Sequence, residues 1–167
     1  MKNILNNEVY SNNEVISEEI LVQIYNLIRD NEVEHLELQL DSQKVTGIAN
    51  IVFDFYLEDE ETINLDNDTK ISLAILNPVL LSVKRKSFAS LKYLVENYDL
   101  RQSLGRYDLE IRHEELGLLQ FNSLVLAILL RIKDNEALSF LSRQDGFILS
   151  QEDFSCFLRW ALSDRWL

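Results

Sequence analysis

At 167 residues and 47% hydrophobic, the chain can bury about 70% of its unfolded surface, ample for a core. A formal charge of −12 and an isoelectric point near 4.5 argue against nucleic-acid binding, which calls for a basic footprint. No stretch of 18 uncharged apolar residues offers a membrane span, and MKNILNNEVYSNNEV lacks the basic start and apolar run of a secretory signal. A soluble protein of the cytoplasm is expected, with no membrane and no nucleic-acid partner. Residues 1–18, rich in Asn and Glu, read as a mobile or loosely packed arm. The remainder, 19–167, reads as a single domain.

From Val22 onward, Leu27-Ile28, the turn pair Asp30-Asn31 and then Val33, Leu36, Leu38 and Leu40 describe two short amphipathic helices across a turn. Ile51, Phe53, Phe55 and Leu57 next alternate with Val52, Asp54, Tyr56 and Glu58, which is strand periodicity. Thr62 to Leu65 supplies a return strand, with the acidic tip Glu58-Asp59-Glu60-Glu61 between. Asn77 can cap a helix, and Pro78 suits its first position, where the missing N–H is unsatisfied anyway. Val79, Leu80 and Val83 follow helical spacing into Lys84-Arg85-Lys86. Ser87 can then cap a second helix with Phe88, Leu91, Leu94 and Val95 on one face. Such short helices are marginal alone and need a neighbour over the apolar face. Tyr107, Leu109 and Ile111 begin a second hairpin that turns at Glu114-Glu115 and returns over Leu116 to Phe121. Leu124 to Ala127 and Ala137 to Leu141 form a further helix pair. The C-terminal stretch ends in an apolar helix carrying Phe157, Trp160, Ala161, Leu162, Trp166 and Leu167.

The helix pairs resemble ankyrin repeats, whose first helix opens T-P-L-H-x-A and whose second is leucine-rich. Asn77-Pro78-Val79-Leu80-Leu81-Ser82 occupies the opening motif without a gap, and Tyr93, Leu94 and Val95 stand where the second helix carries leucines. The frame on Asn122 to Ala127 keeps the small residue Ala127 and reaches Ala137, Leu138, Phe140 and Leu141 after a two-residue expansion at the turn. Copies near 22–42, 77–97, 122–142 and 155–167 start at intervals of 55, 45 and 33 residues, of which the last alone equals the ankyrin period. With 4 Gly in the chain and Thr-Pro surviving as Asn77-Pro78, the array is divergent. The resemblance implies a mainly α fold, a solenoid of ankyrin-like helix pairs with two β-hairpin insertions. An irregular α+β domain is the alternative. It also implies that hairpin tips and first helices carry recognition.

Charge is unevenly spread. Residues 1–69 hold 3 basic and 16 acidic side chains, and residues 70–167 hold 13 and 12. Lys84, Arg85, Lys86, Lys92, Arg101 and Arg106 against Glu96 and Asp99 make the middle copy basic. An acidic end and a basic middle can steer a complementary protein or favour head-to-tail assembly.

Catalytic and metal motifs are missing from the sequence. His35 and His113 are far apart, and His113-Glu114-Glu115 lacks the second histidine of a zinc-protease helix. Asp66-Asn67-Asp68 resembles the opening of a calcium loop, but Ile71 stands where glycine is needed and Asn77 where the bidentate glutamate belongs. Cys156, the sole cysteine, reads as a buried small hydrophobe. No cofactor, metal or catalytic residue is therefore assigned. The expected function is a non-catalytic protein–protein interaction or assembly module, whose partner is another protein, a larger assembly or a second copy. The alternative is an acidic inhibitor or immunity-type protein that presents carboxylates where nucleic acid presents phosphates. An enzyme built from separated residues ranks third. The protein-binding residues expected are Asp59, Glu60, Glu61, Lys84, Arg85, Lys86, Glu114, Glu115, Trp160 and Trp166, the last two on a helix that no following helix covers, so that either a partner chain, the favoured reading, covers it or it folds back on the preceding pair.

Overall fold

Ser17 starts the first helix, because its hydroxyl accepts a hydrogen bond from the Ile20 amide at 3.3 Å and so satisfies one orphan donor of the first turn. Glu18 and Glu19 follow at the positive end of the helix dipole. The computed structural model describes residues 8–53, 62–64, 70–72, 76–101, 109–113, 115–121, 123–144, 147 and 150–163. These fall into two compact units, one of residues 1–56 with 74–103 and the other of 57–73 with 104–167, where the sequence suggests one domain over 19–167. Seven α-helices among the described residues make the protein mainly helical.

The first unit opens with a hairpin, β1 (Tyr10–Ser11) and β2 (Glu14–Val15). Asn12 and Asn13 turn it at φ 53° and 68°, the left-handed pair that a two-residue hairpin requires. Residues 8–16 of the expected N-terminal arm contain this hairpin, while residues 1–7 lie outside the described residues. Tyr10 exchanges backbone hydrogen bonds with Thr46 at 3.1 and 2.9 Å, and the Ser11 hydroxyl donates to the Gln43 carbonyl at 3.0 Å. Gly47 permits this approach: at φ +76° any side chain is strained, and a Cβ there would lie 2.6 Å from the Glu8 carbonyl oxygen.

Two helix pairs build the rest of this unit: α1 (Glu18–Arg29) with α2 (Val33–Ser42), and α3 (Pro78–Lys84) with α4 (Phe88–Asn97). Asn77 and Pro78 act as their residue types dictate, with Asn77 Oδ1 accepting from the Leu80 amide at 2.8 Å and Pro78 in the first turn. Helix α1 packs on α3 and α2 on α4, so the pairs lie one upon the other in the same order. Ile24, Tyr25, Ile28, Leu36 and Leu40 face Val79, Leu81, Val83, Leu91 and Leu94 in one core, all at most 2% exposed. The expected core residues Val83, Leu91 and Leu94 are among them. Tyr25 meets Phe53 edge-on at 5.4 Å between ring centres. Leu38, read with Val33, Leu36 and Leu40 as part of the second helix, is 65% exposed. Each residue turns the helix by about 100°, so a side chain midway between buried Leu36 and Leu40 points the other way.

The first insertion differs from the expected pairing. Among the described residues, Ile51 to Phe53 form no strand with 62–64; the Phe53 amide instead donates to the Leu76 carbonyl at 2.8 Å. Phe55 and Leu57 lie outside the described residues. The segment expected as a return strand is β3 (Thr62–Asn64), which opens a hairpin with β4 (Lys70–Ser72) and belongs to the second unit.

In that unit β5 (Leu109–His113) pairs antiparallel with β6 (Gly117–Phe121), placing Leu109 opposite Phe121 and His113 opposite Gly117. This hairpin forms where the alternation predicts it. Helix α5 (Leu124–Ile132), capped by Ser123 Oγ on the Leu126 amide at 3.1 Å, is buried continuously from Val125 to Leu130. Its pair is α6 (Asn135–Ser142), where Ala137, Phe140 and Leu141 are buried. The two extra residues of this copy lengthen the first helix, nine residues against seven in α3, and leave the turn unexpanded. Helix α7 (Gln151–Ser163) begins earlier than the 155 expected and packs on β6 and α5.

Candidate protein-binding surfaces

The basic cluster lies at the turn between α3 and α4, and the first pair's turn abuts it. Asn31 sits in the left-handed region at φ 56° and points Oδ1 at the Ser90 amide, 2.9 Å away, in the first turn of α4. Ser87, the N-cap residue of α4, makes no cap bond of its own and donates its hydroxyl to the Arg29 carbonyl at 3.2 Å. The helix pairs are therefore joined at their turns as well as through their apolar faces. Arg29 grips Asp30 through two hydrogen bonds of 3.0 and 3.1 Å. That contact, reinforced by the Arg85 charge, holds the Asp30 carboxyl below its ordinary range.

Lys84 and Arg85 are half-buried, while Lys86, at φ 55°, is exposed. Lys84 closes the last turn of α3, where a cation suits the negative end of the helix dipole. Further along the basic middle, Arg101 embraces Asp99 at 2.8 and 2.7 Å, which lowers the carboxyl to about 2. Of the remaining basic residues of this copy, Lys92 is exposed and Arg106 lies outside the described residues.

Of the acidic tips, Asp59, Glu60, Glu61 and Glu114 lie outside the described residues. Glu115 is exposed beside the β5–β6 turn and accepts from the Ser163 hydroxyl at 2.8 Å, tying the hairpin to the end of α7. Trp160 is 4% exposed and meets Phe121 edge-on at 5.9 Å between ring centres. Its place is in the core, because α7 folds back on β6; the expected uncovered aromatic face is corrected on this point. Trp166 lies outside the described residues. Cys156 is buried as expected, with its thiol donating to the Gln120 carbonyl at 3.2 Å. What α7 does expose is Phe154, Leu158 and Leu162, at i, i+4 and i+8 along one face. Only Leu162 of these belongs to the patch read from sequence.

Sequence reasoning also missed a groove between α1 and α2. It has a volume of about 480 Å³ and is lined by Leu27, Leu38, His35, Asn26, Gln23 and Gln39. The available signal was the phase of Leu38, which falls between two core leucines and cannot share their face.

Among the described residues, no group of three or more His, Cys, Asp or Glu side chains could hold a metal ion, and no helix is long and apolar enough to cross a membrane. Comparison of the chain with family models, with curated proteins and with solved structures gives no match.

Proposed function

We propose that this chain is a protein-binding or assembly module built on divergent, ankyrin-like helix-pair repeats. The observation that carries the reading is the placement of α3–α4 on α1–α2, helix upon like helix, with the turns hydrogen-bonded through Asn31 and Ser87. Repeats that stack in this way present extended surfaces for other macromolecules. The exposed Phe154, Leu158 and Leu162 of α7 add an apolar face of the kind that marks interaction sites. Affinity isolation of the tagged chain from its native cell, followed by size-exclusion chromatography and mass spectrometry, tests the proposal. A partner protein co-eluting in fixed ratio supports it. A lone 19.5 kDa species across native extracts overturns it.

The acidic-inhibitor reading has its own support in the exposed Glu18, Glu19, Glu34, Glu37 and Asp41 of the first helix pair. It requires the isolated partner to be a basic enzyme or toxin whose activity the chain suppresses. A partner unaffected in activity removes that reading and leaves the assembly role.

A further inference from the structure

The outer face of α1–α2 combines three properties that together specify an occupant. First, it is concave and partly apolar: the groove of about 480 Å³ has Leu38, 65% exposed, on one side and half-buried Leu27 on the other. Leu38 beside this cleft offers apolar area whose removal from water by an occupant would be favourable. Second, the lining itself carries no acid, and exposed acids stand one helical turn away from it on both helices. Along α1, Glu19 shares the i, i+4, i+7 row of Gln23 and Asn26, and along α2 Glu34 and Asp41 share the row of Leu38. Third, little positive charge offsets them: residues 18–42 hold seven acidic side chains and one basic one, Arg29, which is occupied by Asp30.

We infer that this groove receives a basic amphipathic helix of a partner protein, its apolar side chains against Leu27 and Leu38 and its Lys or Arg side chains against Glu19, Glu34 and Asp41. Helix-in-groove docking uses this division, with apolar anchors giving affinity and the charged rim giving orientation and rate. A second copy of the chain fits less well, because its total charge of −12 opposes approach to an acidic rim. The inference rests on the protein-binding reading and gives it a surface and a partner chemistry.

The test uses the full chain and three fluorescein-labelled 18-residue peptides: Leu and Lys at amphipathic helical spacing, the same composition scrambled, and Leu with Glu at the first spacing. Fluorescence anisotropy should show the amphipathic Leu/Lys peptide binding at least tenfold more tightly than either other peptide. Leu38→Asp should weaken that binding at least tenfold while far-UV circular dichroism stays that of the parent. The double variant Glu34→Gln, Asp41→Gln should weaken it several-fold and flatten its salt dependence. Equal binding of the scrambled peptide, or full binding by Leu38→Asp, would mean that diffuse charge alone attracts the peptide, and would overturn the groove. Sedimentation equilibrium showing a self-association that Leu38→Asp abolishes would assign the groove to a second copy and overturn the basic partner. A native complex that survives Leu38→Asp unchanged sinks the groove and leaves the assembly reading intact. Selective peptide binding without any native complex does the reverse.

Discussion

Asn31 is the residue whose replacement best tests whether the two helix pairs of the first unit are joined at their turns. Its backbone lies at φ 56°, a conformation that Asn and Gly tolerate and that costs other residues about 1–2 kcal/mol. Its side chain caps α4 through the Ser90 amide at 2.9 Å, and a lost cap costs about 1 kcal/mol. The three substitutions Asn31→Asp, Asn31→Gly and Asn31→Ala separate these terms. Asp keeps both the acceptor and the tolerance of the left-handed backbone, and should stay within about 0.5 kcal/mol of the parent. Gly keeps the backbone and removes the acceptor, so a loss of about 1 kcal/mol is expected. Ala loses both, for about 2–3 kcal/mol. Urea titrations followed by far-UV circular dichroism give the ranking, and amide hydrogen exchange locates it. Ser90 should exchange faster in the Gly and Ala variants and at the parental rate in the Asp variant. Equal stabilities for Gly and Ala, or an unchanged Ser90 amide in a destabilised Ala variant, would refute the reasoning, because the loss would then arise elsewhere than at the shared turn.

Leu91→Ala removes a side chain that is 1% exposed and should cost about 2–5 kcal/mol; a thermal melt equal to the parent's would take Leu91 out of the core. Lys86→Gly should raise stability by about 0.5–1 kcal/mol, since Lys86 holds φ 55° and glycine relieves that strain. A lower urea midpoint for Lys86→Gly would mean that the lysine side chain does more for the fold than its backbone costs. Tyr93 is held well above the ordinary phenol range, first by burial and then by its hydrogen bond with Tyr98, at 3.4 Å between oxygens. A phenol whose folded pKa is raised contributes stability that is complete below the unfolded value near 10 and is lost as pH rises beyond it. Tyr93→Phe should therefore remove one late-ionising phenol from the phenolate absorbance titration and reduce the alkaline loss of stability. Disappearance of an early step in the variant would place Tyr93 among the ordinary phenols.

Local chemistry was the most legible part of the fold. Asn77, Pro78, Ser87 and the alternation over 109–121 locate α3, the start of α4 and the β5–β6 hairpin, because cap, proline and strand signals act over a few residues. Pairing across longer separations was not legible. Ile51 to Phe53 carry a strand pattern, yet Ile51 and Phe53 are buried in the core of the first unit, while Thr62–Asn64 pairs with Lys70–Ser72. Alternation reports which residues seek burial and leaves open which segment supplies the cover. The same limit applies to α7. Its content of Trp and Leu was visible, but Trp160 points into the core and Leu162 out of it because β6 and α5 cover one side only. For the candidate binding surface, the acidic character of the first helix pair was plain from composition. The groove required the placement of α1 beside α2, although the phase of Leu38 against Leu36 and Leu40 already set it apart.

The scarcity of glycine looked like a departure from regular repeats, and the turns show how the chain manages without it. Asn31, Lys86 and Lys133 each occupy the left-handed region, at φ 56°, 55° and 57°, and each precedes the N-cap residue of the following helix. Those N-cap residues, Glu32, Ser87 and Asp134, share nearly one backbone conformation, with φ between −85° and −91° and ψ between 69° and 87°. The turn geometry is thus common to all three pairs although no residue at these positions is common to all. Capping separates them. Asp134 accepts from its own helix at the Ala137 amide, 3.1 Å away, whereas α4 takes its cap from Asn31 of the preceding pair. A borrowed cap makes the start of one helix depend on its neighbour's turn, and a self-supplied cap does not.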